Sequence, residues 1–202
     1  PLIGEFCGSN PVIVAGSTWP ADEQVLEKAW NKLTHNPFKL IIAPHEITEK
    51  HIRDLLTLFQ DAICFSAATP GQLTDKRILI IDNIGMLSRL YHYGWITYVG
   101  GGMMKNGVHN VLEAAVYGKP VLFGPYYEKY TEAVGLVHHG GGLSFTDDTD
   151  DGQALRIIIE TLFKDEAAYR KRSEAAGTFV RSNLGATHKI IQYFQENRLF
   201  TN

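Results

Sequence analysis

Short apolar runs alternate with helical patterns along the whole chain. Each apolar run is rich in Val, Ile or Leu and is followed by turn residues, which is typical of buried strands. These runs predict strands at residues 11–15, 39–43, 62–65, 78–81, 96–99, 121–123 and 143–145. The intervening patterns predict helices at residues 20–33, 48–59, 85–91, 109–117, 129–137, 151–163, 166–180 and 187–196. Such an alternation indicates a parallel sheet with helices on both faces.

The predicted fold is therefore α/β, a Rossmann-like, doubly wound parallel sheet followed by C-terminal helices. We expect a single domain over residues 1–202, with no internal repeat. In sheets of this kind, ligands bind beyond the carboxyl ends of the strands. Segments 16–18, 44–46, 83–86 and 100–110 each follow a predicted strand, so the fold would bring them together as candidate binding segments.

The segment 99–125 carries the clearest candidate chemistry. Its three consecutive glycines, 100–102, allow the backbone to turn sharply and to approach a ligand closely. A helix is predicted to begin near His109, and its free N–H groups and positive dipole end would attract a phosphate. Glu113 follows one turn later, where a carboxylate can reach two vicinal ribose hydroxyls. His109, Asn110 and Glu113 place three polar side chains on one face of this predicted helix, and packing alone does not require them. We therefore interpret the segment as a nucleotide or phosphate site.

Composition and charge narrow the choice of partners. The 202 residues are 45% hydrophobic and 20% charged, with a net charge of −3, which is ordinary for a globular protein and gives no nucleic-acid footprint. The two cysteines, Cys7 and Cys64, fit a reducing compartment. We expect no cofactor and no metal, because no paired His/carboxylate set is evident and the acids at 147–148 and 150–151 are typical of a solvated turn and a helix N-terminus. The first predicted turn lacks G-x-G-x-x-G, which counts against an NAD-linked enzyme.

Several sequence blocks occur in an order that carries a family resemblance. They read AGSTWPADE (15–23), APHE (43–46), IGMLSRLY (84–91), VGGGMMKNGVHNVLEAAVYGKPVLFGP (99–125), EA (132–133) and GGGLSF (140–145). With these blocks, nearly the whole chain resembles the C-terminal half of a GT-B glycosyltransferase. It resembles more closely the 3-deoxy-D-manno-octulosonic acid (Kdo) transferases of lipopolysaccharide synthesis.

In such a transferase the C-terminal domain binds the donor, CMP-Kdo, while the N-terminal domain carries the acceptor site and the catalytic base. The residues that the resemblance implies for the donor phosphate are Gly16, Ser17, Thr18, Gly101, Gly102, His109 and Asn110. Those implied around the cytosine are Pro44, His45, Ile84, Gly85 and Met86, and Glu113 is implied for the ribose. His109 is the one residue implied near the chemistry, as a stabiliser of the leaving phosphate.

The resemblance also implies partners and a location. The acceptor would be a lipid A precursor, reached through an N-terminal domain that is absent from this chain, at the cytoplasmic side of a Gram-negative inner membrane. We expect the chain alone to be soluble, to bind the donor and not to transfer it. Many relatives have Pro-Arg-His where this chain has Ala43, Pro44 and His45. This chain therefore lacks the arginine, and Lys105 or Lys129 is a candidate to supply its positive charge.

Two other interpretations stay open at this point. A GT-B enzyme that uses a UDP-sugar, either a transferase or a UDP-GlcNAc 2-epimerase-like protein, shares the glycine–glutamate block. A nucleotide-binding module without chemistry of its own is also compatible with the chain. Trp19 either covers the nucleotide or packs at the sheet edge, and Tyr126, Tyr127 and Tyr130 either face the sugar or form an exposed patch.

Overall fold

Seven strands form one parallel β-sheet in the computed structural model, which describes residues 1–33 and 37–196. The strands are β1 (Val12–Thr18), β2 (Lys39–Pro44), β3 (Ala62–Cys64), β4 (Ile78–Ile80), β5 (Ile96–Val99), β6 (Val121–Phe123) and β7 (Gly142–Ser144). All neighbouring pairs are parallel, in the order β3-β4-β2-β1-β5-β6-β7. The chain places β2, β4 and β3 on one side of β1 and then β5, β6 and β7 on the other, which confirms the predicted doubly wound sheet.

Helices connect the strands and close the C-terminal end. Within the described ranges they are α1 (Leu2–Cys7), α2 (Pro20–Lys32), α3 (Glu49–Leu58), α4 (Leu87–Leu90), α5 (Leu112–Ala115), α6 (Thr131–His138), α7 (Gln153–Lys164), α8 (Glu166–Ser182) and α9 (Ala186–Glu196). Short 3₁₀ turns cover Phe65–Ala67 and Tyr91–Tyr93. The sequence does not predict α1, because six residues are too few to show a helical period. None of the described helices is both long and apolar enough to cross a membrane.

Alternate residues of the central strands contribute to opposite faces of the sheet. In β1, Val12 and Val14 belong to one apolar cluster, whereas Ile13 and Ala15 belong to another. Helices α1, α5, α6 and α8 contribute to the first cluster, and α2, α3 and α7 contribute to the second. Because both faces are covered, each strand reads as a nearly continuous apolar run.

Residues 16–18 do not follow the first strand, although the sequence predicts that they do. These residues are the end of β1, where pairing with β2 shifts register between Gly16 and Thr18. Ser17 lies in this bulge with a φ of 52°, a left-handed conformation that residues other than glycine rarely adopt. Because strained backbone of this kind persists only where its surroundings hold it, the bulge marks the edge of the sheet at which a site is expected.

The helix predicted at residues 109–117 is also wrong, because only α5, four residues long, is helical there. The N–H of His109 donates to the carbonyl of Gly100 over 3.0 Å, so it is tied to the end of β5 rather than to a helix. The side chain of Asn110 accepts the N–H of Leu112 over 3.1 Å and starts α5. So short a helix has no appreciable dipole, and the helix-dipole argument for a phosphate no longer holds.

Candidate functional site

A cavity of about 590 Å³ lies beyond the carboxyl ends of β1 and β5. This is the point where the chain changes the side on which it adds strands, and open α/β sheets bind their ligands there. Trp19 lines the cavity after β1, His109 and Asn110 line it after β5, and Glu132 lines it at the start of α6. Its volume is within the range of about 300–1,000 Å³ that is typical of small-molecule sites.

The indole of Trp19 holds the imidazole of His109 at the wall of this cavity. Nε1–H of Trp19 donates to Nε2 of His109 over 2.8 Å, although 90 residues separate the two in the chain. Because an indole N–H can only donate, Nε2 is the acceptor and the imidazole proton resides on Nδ1. Burial, and after it the charge of His45, lowers the pKa of His109. His109 therefore offers a ligand one neutral N–H donor.

The exposed ring of His45 covers these two rings. It stacks on the ring of Trp19 with 4.6 Å between centroids and on the ring of His109 with 4.4 Å between centroids. Its backbone N–H donates to the carbonyl of Thr18 over 2.9 Å and ties the residue after Pro44 to the end of β1. The structure thus gathers three rings from three separate strand ends, and it places Trp19 at the cavity.

A carboxylate of the chain itself fills the turn after β5. Asp22, in the first turn of α2, is fully buried and accepts the N–H of Gly101 over 2.8 Å. It also accepts the hydroxyl of Tyr98 over 2.8 Å and the N–H of Trp19 over 3.0 Å. Burial raises the pKa of Asp22, and these hydrogen bonds oppose that rise. The N–H of Gly101, which the resemblance implies for the phosphate, is therefore committed to an internal acceptor.

Two other predicted glycines serve close packing. A Cβ added at Gly16 would lie 2.2 Å from the hydroxyl oxygen of the buried Tyr91. A Cβ added at Gly102 would lie 2.7 Å from the backbone nitrogen of Gly124, which follows β6. Only glycine fits at both positions. The sequence cannot separate this requirement from close approach to a ligand, because both select glycine.

Asn110 and Glu113 form a polar pair beside the cavity. Nδ2 of Asn110 donates to a carboxylate oxygen of Glu113 over 3.1 Å, and both side chains are exposed. Asn110 lines the cavity, and Glu113 is held next to it by this hydrogen bond. The pair presents carboxylate and amide oxygens, which can accept hydrogen bonds from hydroxyl groups of a ligand.

Three of the residues implied around the cytosine, at positions 84–86, do not line the 590 Å³ cavity. Gly85 and Met86 line a separate cavity of about 380 Å³, together with residues of α1 and Tyr93. The side chain of Ile84 is 90% exposed. The structure therefore does not bring the segment 84–86 to the wall of the 590 Å³ cavity.

A buried pair that sequence reasoning missed supports the loop of His45. Nε2 of His51, in α3, lies 2.8 Å from the carboxylate of Glu23, which is 2% exposed. Nδ1 of His51 lies 2.9 Å from the carbonyl of Glu46, and the hydroxyl of Thr18 donates to Glu23 over 2.8 Å. Burial raises the pKa of Glu23, opposed by its hydrogen bond from His51. The pair fixes the ends of β1 and β2 to two helices.

Two acids of the turn before α7 pair with lysines of α2. Asp150 pairs with Lys28 over 2.6 Å and Asp151 pairs with Lys32 over 2.8 Å, which joins the turn before α7 to α2. Within the described ranges, no group of three or more His, Cys, Asp or Glu side chains is arranged to hold a metal ion.

Comparison with known proteins extends this picture. No family model matches the chain. A curated 3-deoxy-D-manno-octulosonic acid transferase from Aquifex aeolicus is 31% identical over 183 residues, which cover 89% of this chain and 48% of that protein. The chain spans about half the length of the curated relatives it matches.

Solved structures show the same fold. The C-terminal CMP-Kdo binding domain of WaaA from Acinetobacter baumannii matches with a TM-score of 0.73 and 20% identity, over 87% of this chain and 91% of that one. HepE from Anabaena, in complex with UDP, matches with a TM-score of 0.66 and 15% identity, over 96% of this chain and 52% of that one.

The fold is that of the C-terminal half of a GT-B glycosyltransferase. Within that class, about 90% of the chain is similar to curated Kdo transferases, which is the predicted family. The predicted fold and the predicted resemblance are both confirmed, while the ligand-binding roles of individual residues stay predictions.

Proposed function

We propose that this chain is the donor-binding half of a transferase that moves Kdo from CMP-Kdo to a lipid A precursor. The observation that carries the proposal is the cavity at the switch point between β1 and β5, where Trp19, His109 and Asn110 meet. Similarity to the curated relatives supports the choice of donor. The acceptor and its place at the cytoplasmic face of the inner membrane are proposed from the similarity to Kdo transferases.

The geometry suits the separate parts of a cytidine nucleotide. The Nδ1–H of His109 is the donor that we assign to a phosphate oxygen, because Nε2 is occupied by Trp19. The exposed ring of His45 offers a surface on which a pyrimidine can stack. The carboxylate of Glu113 is the acceptor that we assign to the ribose hydroxyls, with Asn110 holding it in place.

The chemistry then divides between the two halves of the protein. The acceptor hydroxyl oxygen bonds to the anomeric carbon of Kdo as the bond from that carbon to the phosphate oxygen breaks. CMP leaves with this oxygen, and His109 stabilises the charge that develops on the phosphate by donating its N–H. The proton of the acceptor hydroxyl goes to a general base, which we assign to the half of the relatives that this chain does not span.

Calorimetric titration with CMP and with UMP tests the proposal directly. We expect CMP to bind more tightly than UMP by about tenfold or more, because a site built for cytosine discriminates by hydrogen bonding. Glu113→Ala removes the carboxylate assigned to the ribose and is expected to weaken CMP binding by about tenfold. Glu174→Ala, an exposed change of the same charge on α8, is the matched control and should leave CMP binding unchanged.

A UDP-sugar donor is the second candidate function, and the likeness to UDP-bound HepE is the observation that favours it. A preference for UMP in the same titration would support this alternative over CMP-Kdo. Binding of neither nucleotide would contradict the proposal that this half forms the donor site. Transfer of Kdo by the isolated 202-residue chain would contradict the assignment of the base to the other half.

A further inference from the structure

A second cavity adjoins the first and is lined by two lysines. It measures about 270 Å³ and lies between the loop after β5 and the loop after β6. Lys105 comes from the first loop and Lys129 from the second, and tyrosines of the second loop complete its wall. Gly107 and Tyr130 line both cavities, so they form the partition between them.

The partition is held in place from both sides. The ring of Tyr130 packs directly on Gly107, where an added Cβ would lie 2.3 Å from Cε2 of the ring. The Tyr130 hydroxyl donates to the backbone carbonyl of Asn106. The two cavities are therefore neighbouring compartments with a fixed boundary, and a ligand can place one group in each.

The two compartments differ in charge. No lysine or arginine lines the larger cavity, whereas the smaller one is lined by Lys105, Lys129 and a single acid, Glu128. Both lysines are exposed, and neither forms an ion pair with any residue in the described ranges. Their ammonium groups are thus available to an anionic group of a ligand.

The chemistry of an octulosonic acid fits this division, and here the inference rests on the proposed function. In a 2-ulosonic acid linked to a nucleotide, the carboxylate carbon is bonded to the anomeric carbon that carries the phosphate. Two anionic groups therefore lie side by side in the donor. His109 offers the phosphate a neutral donor in the larger cavity, and the adjoining cavity offers cations.

We propose that Lys105 and Lys129 form the subsite for the carboxylate of the donor sugar. The smaller cavity then decides the class of sugar that the domain accepts. An acidic sugar gains two charge-assisted contacts there, whereas a neutral hexose leaves both ammonium groups without a partner. The nucleotide itself makes no use of this compartment.

Titration of CMP and of CMP-Kdo into lysine variants tests the subsite. Lys105→Met and Lys129→Met keep the length of the side chain and remove its charge, and the double variant combines them. We expect CMP affinity to change by less than about twofold in all three, because the nucleotide lies in the other cavity. CMP-Kdo affinity should fall by about fivefold in each single variant and further in the double variant. Lys171→Met, an exposed change of the same charge on α8, should alter neither.

Each result separates the inference from the function on which it rests. An equal loss for CMP and CMP-Kdo would overturn the subsite, because the lysines would then act on the nucleotide. Unchanged CMP-Kdo affinity in the double variant, with CMP still bound, would overturn the subsite alone. Failure of CMP to bind the unsubstituted chain would overturn the proposed function, and the subsite with it.

Discussion

The Nε1–H of Trp19 lies 2.8 Å from Nε2 of His109 and holds that imidazole in one tautomer. Protonation of Nε2 would set one N–H against another, so the ring can gain a second proton only if this hydrogen bond breaks. Burial already lowers the pKa of His109, and the neighbouring His45 lowers it further. The site therefore meets a phosphate with a neutral donor rather than with a histidinium charge.

Trp19→Phe should raise the pKa of His109. The substitution keeps a ring for His45 to stack on, but it removes the donor that occupies Nε2 and leaves both imidazole nitrogens open to water. We expect ¹⁵N NMR of the His109 ring to show a single Nδ1–H tautomer in the unsubstituted chain and a mixture of tautomers in the variant. A pH titration of the same signals measures the rise in pKa.

Trp95→Phe is the matched control for this experiment. Trp95 stacks on Tyr169 with 4.8 Å between ring centroids and precedes β5, at the opposite edge of the sheet. The His109 signals should be unchanged in this variant. An Nε2–H tautomer in the unsubstituted chain would contradict the hydrogen bond from Trp19.

Gly100→Ala should destabilise the fold strongly. A Cβ at Gly100 would lie 2.2 Å from the carbonyl oxygen of Ser17, and this backbone belongs to the bulge that ends β1. A clash with backbone cannot be relieved by a change of rotamer, so we expect a loss of more than about 3 kcal/mol in the free energy of unfolding, measured with urea.

Gly4→Ala provides the comparison. A Cβ at Gly4 in α1 meets no atom within 4 Å, and alanine favours a helix over glycine by about 1 kcal/mol. This variant should be as stable as the unsubstituted chain or slightly more so. Equal stability of Gly100→Ala and Gly4→Ala would contradict this prediction. It would mean that the backbone at the ends of β1 and β5 can move apart, to make room for the Cβ, without a loss in the free energy of unfolding.

The central strands could be predicted because β1 and β2 are apolar runs that are covered on both faces of the sheet. The runs Val12–Thr18 and Lys39–Pro44 need no partner information to be recognised, and parallel strands require helical crossovers. Element ends were less predictable. The sequence predicts that β1 ends before Gly16 because glycine and serine are typical turn residues, whereas a bulge accommodates Gly16 and Ser17 inside the strand.

The candidate site was predictable only in part. The meeting of His45, His109 and the segment after β1 follows from the rule that ligand-binding segments lie at the carboxyl ends of parallel strands. The role of Asp22 could not be predicted, because an acid in the first turn of a helix is usually explained by the helix dipole. Nothing local distinguishes a solvated acid there from one that folds back beneath Gly101.

Glu23 and His51 should be energetically coupled. They come from α2 and α3, 28 residues apart, and share a hydrogen bond of 2.8 Å in a buried setting. Glu23→Gln removes the charge of the carboxylate and His51→Phe removes both ring nitrogens, so the remaining buried group has a weaker partner or none, which typically costs about 1–3 kcal/mol. The double variant should cost less than the sum, with a coupling of about 1–3 kcal/mol in urea unfolding.

The exposed pair Lys50 and Asp54 is the matched control for this cycle. Its atoms are 2.7 Å apart, about as close as those of the buried pair, but both side chains are solvated. Lys50→Met and Asp54→Asn should therefore be additive within error. Additive effects of Glu23→Gln and His51→Phe would contradict the view that this pair joins the ends of β1 and β2.

Asp22 should contribute stability at low pH that the domain loses as the pH rises. Burial raises its pKa in the folded state above the ordinary value of 3.8, despite the hydrogen bonds that it accepts. The folded state therefore binds this proton at a pH where the unfolded state has released it. The stability that Asp22 contributes is greatest below the unfolded pKa, and it is lost as the pH rises through the folded pKa.

Asp22→Asn isolates this contribution. The amide oxygen of asparagine can still accept the N–H groups of Gly101 and Trp19, but its NH₂ faces the Tyr98 hydroxyl, which has no other recorded acceptor among the described residues. We expect a loss of about 1–3 kcal/mol in the free energy of unfolding at low pH. The difference from the unsubstituted chain should shrink as the pH rises from 4 to 7. Asp22→Ala, which leaves all three donors unpaired, should be less stable than Asp22→Asn at every pH. A difference that grew with pH would mean that the three hydrogen bonds stabilise the carboxylate by more than its burial opposes it.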